Sequence, residues 1–225
     1  MRSWVIPPRK SSDFVAHMER ILDIYKLPYD PDFPVVCMDE SPKQLIEDCK
    51  PSIGIGPGRD LKVDYEYIRK GVINIFMASE PLKGKRLVKV TEFKTKKDWA
   101  VFIKEIADHQ YPKAKKIILV MDNFKTHSAS ALYETFEPSE AKRIWDRFEF
   151  VFTPVHGSWL NMAEIELQVL NGQCLKKHMA TMDQVAKQAK AWNANRNNKN
   201  KRIKWQFTTK DARIKLNRLY PSYQS

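Results

Sequence analysis

Long hydrophobic runs are missing from this chain: no uninterrupted apolar stretch approaches the ~20 residues that would span a bilayer. The N-terminal MRSWVIPPRKSSDF has no apolar h-region, so neither a signal peptide nor an anchor is expected, and a cytoplasmic location is. Cysteine is scarce. Cys37, Cys49 and Cys174 form no CxxC pair and no Cys/His zinc spacing, which argues against a disulfide framework or a structural zinc. The Gly- and Pro-rich PSIGIGPGRDLK (51–62) lacks both the strand–GxGxxG–helix context and the closing Lys-Ser/Thr of phosphate-binding loops, so no nucleotide is assigned to it. Neither an internal repeat nor a low-complexity tract is present.

Acidic residues are nearly absent from one region only. Residues 171–225 hold 13 Lys/Arg against 2 Asp/Glu, whereas residues 31–170 balance 21 against 21. Almost all of the formal net charge of +12 therefore sits in the last quarter of the chain. A one-sided basic segment on a neutral body points to a polyanionic partner, nucleic acid first. A solvated basic tail is the alternative.

What is present is the material of an ordinary globular protein, with 225 residues, 43% of them hydrophobic and 29% charged. Ser11 or Ser12 caps a helix in which Phe14, Met18, Ile21 and Ile24 or Tyr25 share one face. Three prolines in LPYDPDFP then end it. VVCMDE (35–40) reads as a short apolar strand closing on two acids. GVINIFMASEP and KRLVKVTEF read as a hairpin, and KKDWAVFIKEIADHQYP as a helix. KKIILVMDN is a second buried strand ending in an acid, and two short helices separate it from a third, FEFVFTP. From Asn161 the pattern is helical to about residue 195. A polar break, NANRNNKNKR, leads to a last helix capped at Thr208 or Thr209. The hairpin rules out an all-parallel sheet and predicts a mixed α/β sheet with helices packed on it.

Two apolar strands thus deliver Asp39 and Asp122 at or near their ends, and the third leads through a His-Gly-Ser-Trp loop toward Glu164. In open α/β sheets ligands gather beyond strand ends. Three carboxylates at one sheet edge would raise one another's pKa. Divalent cations relieve that, and hard oxygen ligands suit Mg²⁺ or Mn²⁺. Two such ions about 4 Å apart suit phosphodiester displacement. Plainer readings stand beside this one. A strand-end Asp is often a turn or cap residue, and Asn-Met-Ala-Glu (161–164) matches a capping box in which Glu164 reaches back to the Asn161 amide. Glu164 and Glu166 lie about 200° apart on a helix, so one at most faces a shared site, and periodicity does not choose between them.

VVCMDE, LVMDNFKTH and TPVHGSWLNMAEIELQVL together resemble the three signature segments of mariner-related bacterial insertion-sequence transposases, members of the DDE endonuclease superfamily. VDYEYIRKGVINIF, WNANRN and WQFTTKDARIKL extend the likeness over essentially the whole chain. The resemblance implies a ribonuclease H-like fold, a five-stranded mixed sheet flanked by helices. It implies Asp39, Asp122 and Glu164 as the catalytic metal ligands, Glu164 rather than Glu166 because the family's acid follows Leu-Asn by three residues. Substitution of Glu166 by Gln is accordingly expected to be tolerated.

The same resemblance implies two Mg²⁺ or Mn²⁺ ions, cleavage at transposon ends carrying terminal inverted repeats, and strand transfer into target DNA, usually at TA. A nucleoid-associated location and a dimer in the synaptic complex go with it. Relatives carry an N-terminal helix-turn-helix reader, and this chain has room for one helix before its first strand. It therefore looks like a catalytic half, joined to an upstream reading-frame product or a truncated copy. The expected layout is a helical lead-in (1–30), a catalytic domain (31–180) and a basic helical extension (181–225).

Asn123, His127, His156, Ser158 and Trp159 are candidates for supporting the acids or contacting DNA, with capping and core packing as their plainer roles. Lys125, Arg196, Lys199, Lys201 and Arg202 are candidate phosphate contacts, and deletion after residue 195 is expected to flatten the salt dependence of DNA binding. A nuclease or resolvase of the same fold without strand transfer, and an inactive DNA-binding remnant, are the competing functional readings.

Overall fold

The computed structural model describes residues 11–50, 53–58, 60, 66–122 and 127–221. Helix α1 (Ser12–Ile24) starts where the Ser11 hydroxyl accepts the Phe14 amide. Strands β1 (Val35–Asp48), β2 (Tyr67–Glu80) and β3 (Lys85–Thr91) form an antiparallel meander. Helix α2 (Lys96–Glu105) begins at a Thr95/Asp98 capping box and ends in a π-helical turn, Ile106–Gln110. Then come β4 (Ile117–Met121), the short helices α3 (Ala129–Tyr133) and α4 (Pro138–Asp146), and β5 (Phe148–Phe152). A 3₁₀ turn, Ser158–Leu160, leads into α5 (Met162–Gln173). Helices α6 (Met182–Asn198) and α7 (Thr209–Lys215) and a last 3₁₀ turn, Asn217–Leu219, complete the described chain.

The five strands form one sheet in the order β3-β2-β1-β4-β5, with β4 parallel to both β1 and β5. This is the expected mixed, five-stranded α/β architecture. Period-two alternation splits the apolar residues between two layers. Cys37, Ile73, Ile75, Met77, Ile118 and Val120 pack with α1, α5, α6 and α7. Val36, Met38, Phe76, Ala78, Leu119 and Met121 pack with α2, α3 and α4 around the buried Trp99 and Phe102. The helical lead-in and the basic C-terminal segment lie within the first layer, where Leu22 and Ala212 are fully buried. Among the described residues no helix is long and apolar enough to cross a membrane.

Two elements run further than their sequence patterns suggest. β1 continues for eight residues beyond VVCMDE, because pairing with β2 extends out to Asp48 opposite Tyr67. β4 pairs β1 only from Val35 to Cys37, so Pro42 lies on a stretch with one neighbouring strand, where proline is tolerated. α6 runs through the polar NANRN because tertiary contacts hold it there. The Asn197 side chain accepts the Arg86 amide and donates to the Arg86 carbonyl, both at 2.8 Å, which fastens the helix to β3. The β2–β3 hairpin turns at Gly84 (φ +71°), where an added Cβ would meet the Asn200 backbone at 2.8 Å.

Candidate active site

Register alone brings two of the three acids together. Cys37 on β1 is level with Val120 on the parallel β4, and Asp39 and Asp122 each follow two residues further on, near enough that the charge of Asp122 acts on Asp39. The third acid arrives by a built connection. After β5 the Thr153 amide donates to the Met121 carbonyl, and a tight turn closes from the Gly157 amide to the Pro154 carbonyl. His156 takes φ +65° in that turn, and Gly157 packs so close to Pro154 that a Cβ would lie 2.6 Å from its ring. The buried Tyr25 hydroxyl donates to the Leu160 carbonyl at 2.6 Å.

Asn161 then performs two tasks. Its Oδ1 accepts the Ala163 amide at 3.1 Å, capping α5, and its Nδ2 donates to the Met38 carbonyl at 2.7 Å. The first turn of α5, which carries Glu164, is thereby hung on the peptide just before Asp39. The reciprocal capping box is not formed. The Asn161 amide donates to the Ser158 carbonyl, and the Glu164 carboxylate is left out of the cap.

The electrostatics record this convergence. The Asp39 carboxyl is pushed up to about 7, chiefly by burial and further by the charges of Asp122, Glu40 and Glu164, against the lowering effect of the Glu40 amide donating to it at 2.8 Å.

Strand alternation turns the adjacent Glu40 to the opposite sheet face. There it meets Lys94 (2.7 Å) and the Nε2 of His127 (3.2 Å), while His127 Nδ1 lies 3.0 Å from Asp122. His127 is buried and stacks on Trp99, with ring centroids 5.5 Å apart. Glu40, Asp122 and His127 offer ligand atoms that all lie within 4.8 Å of one another. Burial lowers the His127 pKa, but hydrogen bonds to Asp122 and Glu40 outweigh it and push the ring up to about 9. His127 thus bridges Glu40 and Asp122, one ring nitrogen toward each carboxylate.

A family model described as DDE superfamily endonuclease matches residues 34–186, a span that includes all three acids and the Asn161 connection. The chain belongs to the DDE superfamily endonucleases. Among solved structures its fold is similar to the Mos1 mariner paired-end complex with Mn, at 15% identity and a TM-score of 0.58, covering 89% of this chain and 63% of that one. It is also similar to a Mos1 transposase paired-end complex with the left transposon end and to the Mos1 strand transfer complex. Both are at 13% identity and TM-score 0.56, covering 86% of this chain and 58% of theirs. The chain spans less than two thirds of these proteins, and at such identities the likeness is one of fold, the ribonuclease H-like sheet. No curated protein matches it.

In this DDE endonuclease the other sequence candidates fall in different places. Asn123 and Lys125 lie outside the described residues. His156 and Ser158 are exposed on the loop before α5. Trp159 is half-buried against the first apolar layer and meets Phe207 edge-on at 5.9 Å. Lys199, Lys201 and Arg202 are exposed after α6.

Arg196 is engaged with Glu166, and this pairing gives Glu166 a structural role that the expected tolerance of Glu166→Gln left out. Glu166 is fully buried and takes two bonds from Arg86 (2.7 and 2.8 Å) and two from Arg196 (2.9 and 3.0 Å). Arg86, also buried, further donates to the Gly84 carbonyl at 2.6 Å and to that of Lys201. Burial raises the Glu166 carboxyl, yet the two guanidinium groups hold it below its ordinary value. The two glutamates of α5 thus divide, Glu164 to the acidic site and Glu166 to a structural ion pair.

Residue reading missed Glu40, Lys94 and Arg86. Glu40 was visible as the second acid of VVCMDE, and alternation set it on the face opposite Asp39, but nothing local showed that His127 and Lys94 would meet it there. Arg86 lies 80 residues from Glu166, and its strand gives no sign of a charge turned inward.

Proposed function

We propose that this chain is the catalytic domain of a DNA transposase, cleaving phosphodiester bonds at transposon ends and joining a freed 3′-hydroxyl to target DNA. The observation that carries the reading is the hanging of Glu164 on the Met38 carbonyl by Asn161, beside Asp39, whose carboxyl also feels the charge of Asp122. The donor set fits hard divalent cations. The charges of Asp122 and Glu164 add to the raised pKa of Asp39, which a cation would relieve. Asp39, Asp122 and Glu164 would hold two Mg²⁺ or Mn²⁺ ions, which would supply activation of the attacking oxygen and neutralisation of the leaving one.

The chain's own residues do the rest. Asn161 fixes the separation of Glu164 and Asp39, and His127 orients Asp122. In the cleavage step a water oxygen bonds to phosphorus, its proton passes to solvent, and the bond to the 3′ oxygen breaks to leave a hydroxyl. In the joining step that hydroxyl takes the place of water. The expected partners are transposon ends with inverted repeats, target DNA, a second copy in the synaptic complex, and a helix-turn-helix product of an upstream frame. The Mos1 complexes with transposon ends and strand transfer product support the DNA partner.

The test is nicking of supercoiled plasmid with Mn²⁺, wild type beside Asp122→Asn, followed by joining of pre-cut ends to a target. Nicking and joining by wild type alone are expected. Nicking without joining would make the protein a nuclease of the same fold. Equal activity in Asp122→Asn would overturn the site.

A further inference from the structure

The C-terminal end of α5, the connection 174–181 and one face of α6 enclose a groove of about 790 Å³. Its cations are Lys176, Lys177 and Lys187, with amide side chains from Gln188 and Asn195 beside them, and among the described residues no acidic one lines it. Asp48 stands near one end, paired with His178. None of the three lysines is in an ion pair among the described residues, and all three are exposed.

The groove is held open by fixed contacts. Lys43 donates to the Leu175 carbonyl at 2.6 Å, pinning the connection to β1. The Trp192 indole forms part of the wall, its Nε1 bonded to Gln173 at 3.0 Å and its ring covered by Arg196. On α6, Lys187, Ala191 and Asn195 follow at four-residue intervals, so the lining runs about 12 Å along one stripe. A small anion would need its donors gathered at one point. Donors spread over about 12 Å match three to four nucleotides of one strand at ~3.4 Å each.

Gly172 lies eight residues along α5 from Glu164, about 12 Å by helical rise. We propose that this groove binds the phosphodiester backbone of the DNA being cleaved, about four nucleotides from the reacting phosphate. The proposal rests on the reading of the chain as a DNA-cleaving enzyme.

Deletion after residue 195 is not a usable test, because Ala212, Leu216 and Leu219 belong to the core. The experiment instead measures affinity of the full chain for a linear duplex as a function of salt. Wild type is compared with Lys176→Gln/Lys177→Gln/Lys187→Gln and with a charge-matched control, Lys97→Gln/Lys113→Gln/Lys116→Gln. These control lysines are exposed ones near α2 and β4. The groove variant should flatten the log–log salt slope by about 2–3, from ~0.9 per phosphate contact, and the control by less than one. In the groove variant, phosphate-ethylation interference should vanish about four nucleotides from the nick. An unchanged slope in the groove variant, or equal flattening in both, would overturn the groove. No DNA binding by wild type would overturn the functional reading itself.

Discussion

Glu166→Gln should unfold much of this protein's margin of stability while leaving its chemistry alone. The substitution keeps the volume of the side chain and removes its charge. It does so at a carboxylate with no solvent exposure, opposite an Arg86 side chain that is 1% exposed. Four charge-assisted bonds, at 2.7, 2.8, 2.9 and 3.0 Å, would lose their anion. Arg196, 18% exposed, can recover some hydration, but Arg86 cannot. Breaking a buried pair in this way costs about 3–5 kcal/mol, against a total of roughly 5–15 kcal/mol. For a chain of this size each kcal/mol lowers Tm by about 2–4 °C, so a fall of roughly 6–20 °C is expected. Guanidinium unfolding followed by far-UV circular dichroism measures it directly, with Glu164→Gln as the reference. That variant removes like-charge crowding around Asp39 and should match or slightly exceed wild type in stability while losing cleavage. A Glu166→Gln protein within about 1 kcal/mol of wild type that nonetheless failed to nick would refute the division of roles between the two glutamates.

Asn161→Asp keeps the acceptor for the Ala163 amide but sets a carboxylate against the Met38 carbonyl. It should cost about 2–3 kcal/mol in stability and, by misplacing Glu164, about 10²-fold in kcat with DNA affinity unchanged. Asp39, with a folded-state pKa near 7 against an ordinary 3.8, binds its proton more tightly in the folded state. In metal-free protein its stability term is therefore full below about pH 4 and lost as pH rises to about 7, by at most ~4 kcal/mol. Thermal melts with and without Mg²⁺ check this, since the ion should remove the loss. Mn²⁺ affinity, measured by calorimetry, should climb with pH up to about 7 and then level off, because the ligand must shed its proton. Gly84→Ala should destabilise by about 2 kcal/mol, through its positive φ and the Asn200 backbone against it, as urea unfolding will show.

The sheet was legible because apolar runs bounded by Pro and Gly mark strands whatever packs on them, and the hairpin at Gly84 dictated antiparallel neighbours. Asp39 and Asp122 were legible as acids following apolar runs, but Asp39 lies inside β1 rather than at its end, because the strand continues to Asp48. The length of β1 was not, because pairing with β2 carries it past Pro42 with no apolar alternation to announce it. The helical state of NANRN was not, because it depends on Asn197 meeting the Arg86 peptide 111 residues away. Charge misled in a similar manner. Arg196 reads as one more cation in a basic segment, and only the fold shows that its guanidinium neutralises a buried acid.

The described chain ends meet. The Ser11 amide donates to the Leu219 carbonyl, Glu19 pairs with Arg213, and Thr209 donates to Asp23. A nascent chain growing at ~5–20 residues per second would complete α1 and then wait roughly ten to forty seconds for the segment that covers it. Throughout that interval the face bearing Phe14, Met18 and Leu22 lacks its final neighbours, Ala212 and Leu219. Closure of this fold is a late event dominated by contacts between distant residues, the kind that slows folding and exposes apolar surface to aggregation.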